Sequence, residues 1–251
     1  SQAIKWQAEQ YIPVPLSDVV LKHQIITQPD NASPGANEKM TVLLIAAPNE
    51  VLNNQISLVE KAGLEVVSVE TEILAVARAL IGTDINSPSS LLVHFGAEST
   101  TLSLLSRGNL IFTQPITSGG AAIVRSVASS LSLEYAQAEE YTKIYGLDAT
   151  KLEGKVSVAV KPVMDLILAE TKKALAFYET HSSQDTVKRV VLSGGASLIP
   201  GLVQFFTEEI GLEVQLGNPF LNITVTEKQK AEIDNIAPQY VTAVGLALKL
   251  L

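Results

Sequence analysis

Two short apolar runs, Leu91–Phe95 and Val187–Leu192, each give way to a turn of glycine and other small residues, and these two junctions constrain the fold more than any other feature of the chain. The first run meets Gly96-Ala97-Glu98-Ser99 and returns as the apolar stretch Thr100–Leu105. The second meets Ser193-Gly194-Gly195-Ala196-Ser197-Leu198-Ile199-Pro200-Gly201 and passes into a helical pattern. Each therefore reads as a strand that delivers the chain to a tight turn. Small residues in a strand-turn-strand let an anion approach consecutive main-chain N–H groups. Successive glycines at a strand's carboxyl edge let a flat ring lie against the backbone, where open α/β sheets place ligands. Neither stretch is a GxGxxG fingerprint or a phosphate loop with GK[ST]. Taken singly, each also fits an ordinary structural turn.

The rest of the chain alternates strand and helix around these turns. Residues 2–11 read as a helix ending before Pro13, Val19–Ile26 as a strand, 28–37 as a loop and Thr41–Ala47 as a second strand. Pro48 belongs to the first turn of a helix striped by Val51, Leu52, Ile56 and Val59 and ended by Gly63. Leu64–Val69 reads as a third strand and Thr71–Ile81 as a helix, which together make an α+β unit with a boundary within 82–90. Beyond the first glycine turn, Arg107-Gly108-Asn109 turns the chain into Leu110–Gln114, and Gly119-Gly120 opens a helix carrying Ile123, Val124, Val127 and Leu131. Ser132 reads as the N-cap of the next helix, which Gly146 stops. A long helix with Pro162 in its first turns follows, then helices at Pro200–Ile210 and from Pro238 to the end.

Composition excludes several classes. Of the 251 residues, 47% are hydrophobic and 18% charged, which rules out a disordered chain and a coiled coil. A net charge of -8 argues against a nucleic-acid partner, and the basic pairs Lys172-Lys173 and Lys188-Arg189 fit a solvated face. The chain has no cysteine, hence no disulfide, thiolate metal site or thiol nucleophile. No apolar run approaches the roughly 20 residues of a membrane helix, and no signal peptide is seen. The chain opens on Ser1 without an initiator Met and reads as cut or truncated. His23, His94 and His181 lack metal-ligand spacing with carboxylates. There is no Gly-x-Ser-x-Gly elbow, and the adjacent pairs Glu139-Glu140 and Glu208-Glu209 cannot form an acid–base couple by themselves. No catalytic residue and no metal ligand is assigned.

The order of motifs is more specific than any one of them. The hairpin at Gly96, Gly119-Gly120 at a helix start, the helix Ala138-Glu139-Glu140-Tyr141-Thr142-Lys143-Ile144-Tyr145-Gly146, the Ser193–Gly201 loop and a closing helix with Gly245 together resemble the second half of the actin-like ATPase fold. The opening Glu9-Gln10-Tyr11-Ile12-Pro13-Val14-Pro15-Leu16 and the later Asn218-Pro219-Phe220 resemble the type IV pilus assembly protein PilM family in particular. The resemblance covers essentially the whole chain. It implies an α/β fold, an actin-like (ribonuclease H-like) second lobe over 85–251, whose last helix returns to the first lobe. Residues 1–84 would be an inserted α+β subdomain, matching 1–70, and a connecting helix of the first lobe. It also implies a nucleotide site: Gly96, Ala97, Ser99 and Thr100 near the phosphates of ATP, Glu139 and Lys143 facing the ribose, and Gly194, Gly195 and Ser197 against the adenine and its sugar.

Two departures from the family pattern follow. The family's hairpin usually begins with an Asp that helps hold Mg²⁺, whereas this chain has His94, read here as a packed strand residue, since a neutral imidazole is a poor ligand for that cation. The family's first phosphate loop would precede Ser1, so this polypeptide is expected to bind ATP weakly or not at all and not to be an active ATPase by itself. The resemblance implies a cytoplasmic scaffold, peripheral to the inner membrane, which captures the N-terminal tail of a PilN-like membrane protein. An unpaired sheet edge is expected to give some homodimer. Two rival readings use the same superfold. An active ATPase or small-molecule kinase needs a catalytic Asp where His94 stands. An FtsA-like filament-forming cell-division protein usually ends in an amphipathic membrane helix, whereas here Leu250-Leu251 follows directly on the Gly245 helix.

Overall fold

A computed structural model describes residues 2–27, 40–82, 87–181, 185–221 and 223–250, and divides the chain into two units, Ser1–Glu70 and Thr71–Leu251. The first unit runs from helix α1 (Gln2–Ala8) through strands β1 (Val19–Thr27) and β2 (Thr41–Pro48) to helix α2 (Asn49–Lys61). The strands are antiparallel, with Val19 opposite Pro48 and Ile25 opposite Val42. Pro48 is the extended cap just before α2, not part of its first turn. Asn49 donates from Nδ2 to the Ser17 carbonyl at 2.9 Å. Helix α1 stops at Ala8, short of the expected 2–11, because Gln10 and Tyr11 turn back onto the carbonyls of Gln7 and Ala8.

Leu64–Val69 does not form the expected third strand, and Leu64 and Val67 are exposed. An apolar run becomes a strand only where a neighbour takes up its N–H and C=O groups, and among the described residues the sheet of this unit has two strands, β1 and β2. The loop read at 28–37 lies outside the described residues.

The second unit opens with α3 (Glu72–Leu80) and is built on a five-stranded sheet of order β5-β4-β3-β6-β7. Its strands are β3 (Ser90–Phe95), β4 (Thr100–Ser106), β5 (Asn109–Ile116), β6 (Arg189–Ser193) and β7 (Glu213–Leu216). Helices α4 (Gly120–Leu131), α5 (Tyr135–Tyr145) and α6 (Lys155–His181) join β5 to β6, α7 (Leu202–Ile210) joins β6 to β7, and α8 (Glu227–Ile233) and α9 (Val241–Ala247) follow. The division falls between Glu70 and Thr71, and α3 packs on α9 inside the second unit. Ser132 is not the cap of α5: it ends α4 in the left-handed region at φ 54°, and Glu134 precedes α5.

Strand β3 is buried along its whole length, as a continuous apolar run in a sheet covered on both faces should be. Alternation sorts its side chains. Leu91, Val93 and Phe95 join Ile123 and Val127 of α4 and Met164 and Ile167 of α6 in the main core, and Phe95 meets Phe206 of α7 edge-on with ring centres 6.1 Å apart. The intervening positions, Leu92 and His94, belong to the other face. Pro115, which has no N–H to give, sits on β5, an edge strand.

Two polar devices fix the sheet at its ends. At the amino end of β3, the half-buried Asp185 carboxylate accepts hydrogen bonds from Ser89, from Ser106 at 2.7 Å and from Tyr178 at 2.9 Å. Burial opposes ionisation of Asp185 most strongly, but these hydroxyls and the Thr186 N–H together outweigh it and hold its carboxyl below the usual carboxylate value. At the carboxyl end, β3 and β6 run parallel with His94 opposite Ser193. Gly194 there backs onto β3 at φ 86°, so closely that a Cβ would lie 2.1 Å from the Phe95 carbonyl oxygen, and its N–H donates to the Pro238 carbonyl at 2.8 Å.

Two outcomes are expected. Gly194→Ala should destabilise the chain by on the order of 3 kcal/mol, from the left-handed backbone and the clash with β3 together, measurable as a lowered urea midpoint. Asp185→Ala should cost about 2 kcal/mol at neutral pH through its unpaired hydroxyl donors. Because the native carboxyl titrates below its unfolded value of about 3.9, that contribution is complete above this pH and is lost as pH falls through the native value. The gap between wild type and Asp185→Ala should therefore narrow in urea titrations run at progressively lower pH.

Candidate functional site

The parallel register of β3 and β6 sets the two glycine bends side by side at one edge of the sheet. The start of α4 joins them. The N–H groups of Gly120 and Ala121, which a helix leaves without intrahelical acceptors, donate to the carbonyls of Gly96 and Ala97 at 2.9 and 2.8 Å. Gly119 makes this seat possible: a Cβ there would lie within 2.7 Å of Gly96 O, Ala97 O and Ser99 N. Gly120 in turn lies beside the second bend, its Cβ position 3.6 Å from the Ala196 methyl and 3.7 Å from Gly96 O. Hairpin, helix start and loop therefore meet in one corner of packed backbone.

Within that corner the predicted residues divide by what they present. Ala97 is exposed, Gly96 and Ser99 are half-buried, and Gly195 is exposed with open space where a side chain would begin. Thr100 and Ser197 are buried, and their hydroxyls close the bends: Thr100 Oγ1 donates to the Ser118 carbonyl and Ser197 Oγ to the Gly194 carbonyl, each at 2.7 Å. They shape the turns and do not face outward. Glu139 and Lys143 pair with each other across one turn of α5 at 2.6 Å, both on the solvent side. The end of α5 leads to the second bend, since the Leu147 N–H donates to the Pro200 carbonyl at 2.8 Å, but no described hydrogen bond ties Glu139 or Lys143 to either glycine turn. Glu98, at the tip of the hairpin, lies 3.7 Å from Arg125 of α4.

His94 is buried, as expected of a packed strand residue, and it carries a network that sequence reasoning does not reveal. Its Nδ1 lies 2.9 Å from Ser193 Oγ and its Nε2 3.4 Å from Glu72 Oε1, while Thr242 Oγ1 donates to the same Glu72 oxygen at 3.3 Å. The hydrogen bond from His94 holds the Glu72 carboxyl below the usual carboxylate value against the opposing effect of burial. Glu72 and Thr242 are remote from His94 in sequence and in no motif; only the packing of α3 and α9 brings them there. No group of three or more His, Asp or Glu side chains suited to a metal ion is found among the described residues. A cavity of about 500 Å³ beyond β7, lined in part by Phe220, Ile223, Val225, Lys230 and Ile233, includes none of the predicted site residues.

The corner brings the main chain of Gly96, Ala97, Gly119 and Gly120 and the Ala196 methyl together. Known proteins share the fold of the chain. A family model described as type IV pilus assembly protein PilM matches residues 1–251. The solved PilM-PilN type IV pilus biogenesis complex aligns with a TM-score of 0.82 and 27% identity, over 99% of this chain and 71% of that one. An MreB of Spiroplasma citri bound to AMPPNP aligns with a TM-score of 0.58 at 15% identity, over 80% of this chain and 63% of that one, a likeness of fold alone. Among curated relatives, cell division protein FtsA of Bacillus subtilis is 23% identical over 96% of this chain and 58% of its own length, and FtsA of Pseudomonas aeruginosa 26% identical over 99% and 63%. The chain thus spans about three-fifths of the length of these relatives. Its fold is that of the actin-like ATPases, and it belongs to the type IV pilus assembly protein PilM family.

Proposed function

We propose that this chain is a scaffold of the type IV pilus assembly platform on the cytoplasmic face of the inner membrane, and that it holds the N-terminal tail of a PilN-like membrane protein. The observation that carries this reading is the alignment of 99% of the chain on a solved PilM-PilN complex with a TM-score of 0.82. An extended tail is recognised by main-chain hydrogen bonds and by pockets for alternate side chains. No helix of the described residues is long and apolar enough to cross a membrane.

The glycine corner is proposed as the adenosine and phosphate side of a nucleotide site that holds Mg-ATP weakly in the 251-residue polypeptide. Gly195 leaves room for the base. Two features weaken the phosphate end. The Gly120 and Ala121 amides at the start of α4 are engaged by the carbonyls of Gly96 and Ala97, and the position where the family places an Mg²⁺-holding Asp carries His94, its ring nitrogens facing Ser193 and Glu72. Hard cations prefer oxygen ligands. A second reading, a filament-forming protein, is favoured by FtsA relatives that match 96 to 99% of the chain. It is tested by sedimentation at high protein concentration, where polymer would replace the pilus reading.

The peptide reading is checked by fluorescence anisotropy with the labelled N-terminal tail of the PilN-like protein of the same organism. A dissociation constant near the micromolar level is expected, about -8 kcal/mol. Absence of binding at concentrations approaching about 1 mM would overturn it. Calorimetry with Mg-ATP should give an affinity weaker than about 1 μM, and a sub-micromolar value would restore the nucleotide-driven reading.

A further inference from the structure

We propose that Glu72, His94, Ser193 and Thr242 form a directed latch that couples the two glycine bends to α3, the helix by which the chain enters the second unit. The direction follows from donor and acceptor chemistry. An ionised carboxylate only accepts hydrogen bonds, so the hydrogen shared between His94 Nε2 and Glu72 Oε1, 3.4 Å apart, resides on the ring. A neutral ring with Nε2–H has a lone pair at Nδ1, and Ser193 Oγ, 2.9 Å away, must then donate to it. In this Nε2–H tautomer the proposed chain runs from the Ser193 hydroxyl through the imidazole to the carboxylate, with Thr242 as the second donor to Glu72. The order Ser-His-Glu resembles that of a hydrolase triad, but Ser193 is 0% exposed, so no substrate reaches its hydroxyl in this arrangement.

Position gives the network its role. Ser193 is followed directly by Gly194, and His94 lies two residues before Gly96, so each partner in the 2.9 Å contact is the foot of one bend. A shift of either bend displaces one of the two. On the far side, Glu72 is the first residue of α3 and lies two residues beyond Glu70, the last residue of the first unit. Helices α3 and α9 pack backbone to backbone. Gly245 lies against the α3 backbone where a Cβ would sit 2.0 Å from the Ala75 carbonyl oxygen, and Arg78 Nη1 donates to the Gly245 carbonyl at 2.7 Å. Whatever occupies the bends is therefore reported to the helix pair through the buried ring, beside the Gly194 N–H that donates to the Pro238 carbonyl just before α9. The latch requires nothing of the partner peptide, so failure of peptide binding leaves it standing.

Hydrogen exchange read by mass spectrometry on the full 251-residue chain tests it, with peptides covering 72–80, 94–100, 193–201 and 241–247. Glu72→Ala removes an exposed carboxylate from a helix that tolerates alanine, and it touches neither bend. It should speed exchange in 94–100 and 193–201 by about tenfold. Ser193→Ala should do the same for 72–80 and 241–247, and the double variant should exceed neither single variant by more than a small factor, since both cut one chain. His94→Asn, which keeps the reach to Ser193 and loses that to Glu72, should loosen the helix pair as Glu72→Ala does. Changes confined to each mutated segment, or fully additive effects, would overturn the latch. Nitrogen NMR of the His94 ring supplies a readout that needs no variant. The Nε2–H tautomer is expected, and the Nδ1–H tautomer would reverse the proposed direction and sink the proposal.

Discussion

The parallel pairing of β3 with β6 is the contact on which the rest of the second unit depends. It joins strands separated in the chain by β4, β5 and three helices, and so requires closure of a long excursion before its hydrogen bonds form. Its reward is shared with the core: Leu91, Val93 and Phe95 meet Val190 and Leu192 in the same apolar cluster as α4, α6 and α7. The close approach of Gly194 to Phe95 fixes where this pairing stops. One residue with a side chain at position 194 would drive the strand ends apart, and with them the two bends.

From that constraint the chemistry of the edge follows. Once the bends lie together, the start of α4 seats against the hairpin and its first amides are satisfied by hairpin carbonyls, not by water. The same capping engages two amides that a helix start leaves without intrahelical partners. His94 and Ser193 then face one another because they are register partners on the same side of the sheet. Buried polar groups of this kind need partners, and Glu72 and Thr242 supply them from α3 and α9. At the opposite end of β3, Asp185 gathers three hydroxyls to the same purpose. No buried side-chain nitrogen or oxygen among the described residues lacks a partner.

The first unit has a different physical character. Helix α2 buries none of its residues, and Trp6, Tyr11, Leu64 and Val67 are each more than 60% exposed. Its sheet has two described strands, β1 and β2, flanked by α1 and α2, and a two-stranded ribbon is marginal by itself. Large exposed apolar side chains over such a small unit are what a surface that engages a partner requires.

Much of the second unit was legible in the sequence because its signals are local. The continuous run Leu91–Phe95, the glycine turns, Gly119-Gly120 before an apolar helix face and the Gly146 stop each depend on neighbours close in the chain, and each appears in the structure near its expected place. The misreadings share one cause. Leu64–Val69 has strand composition but no described strand to pair with, Ser132 has the chemistry of an N-cap but stands at the end of α4, and β7 is too short to show a period. Periodicity and turn chemistry thus determined the elements and the nature of the two bends. Tertiary structure alone decided that the bends meet, that Thr100 and Ser197 turn their hydroxyls inward, and that His94 is held between Ser193 and Glu72. Those outcomes depend on contacts between residues far apart in the chain, and no local pattern encodes which distant group will stand opposite a given side chain.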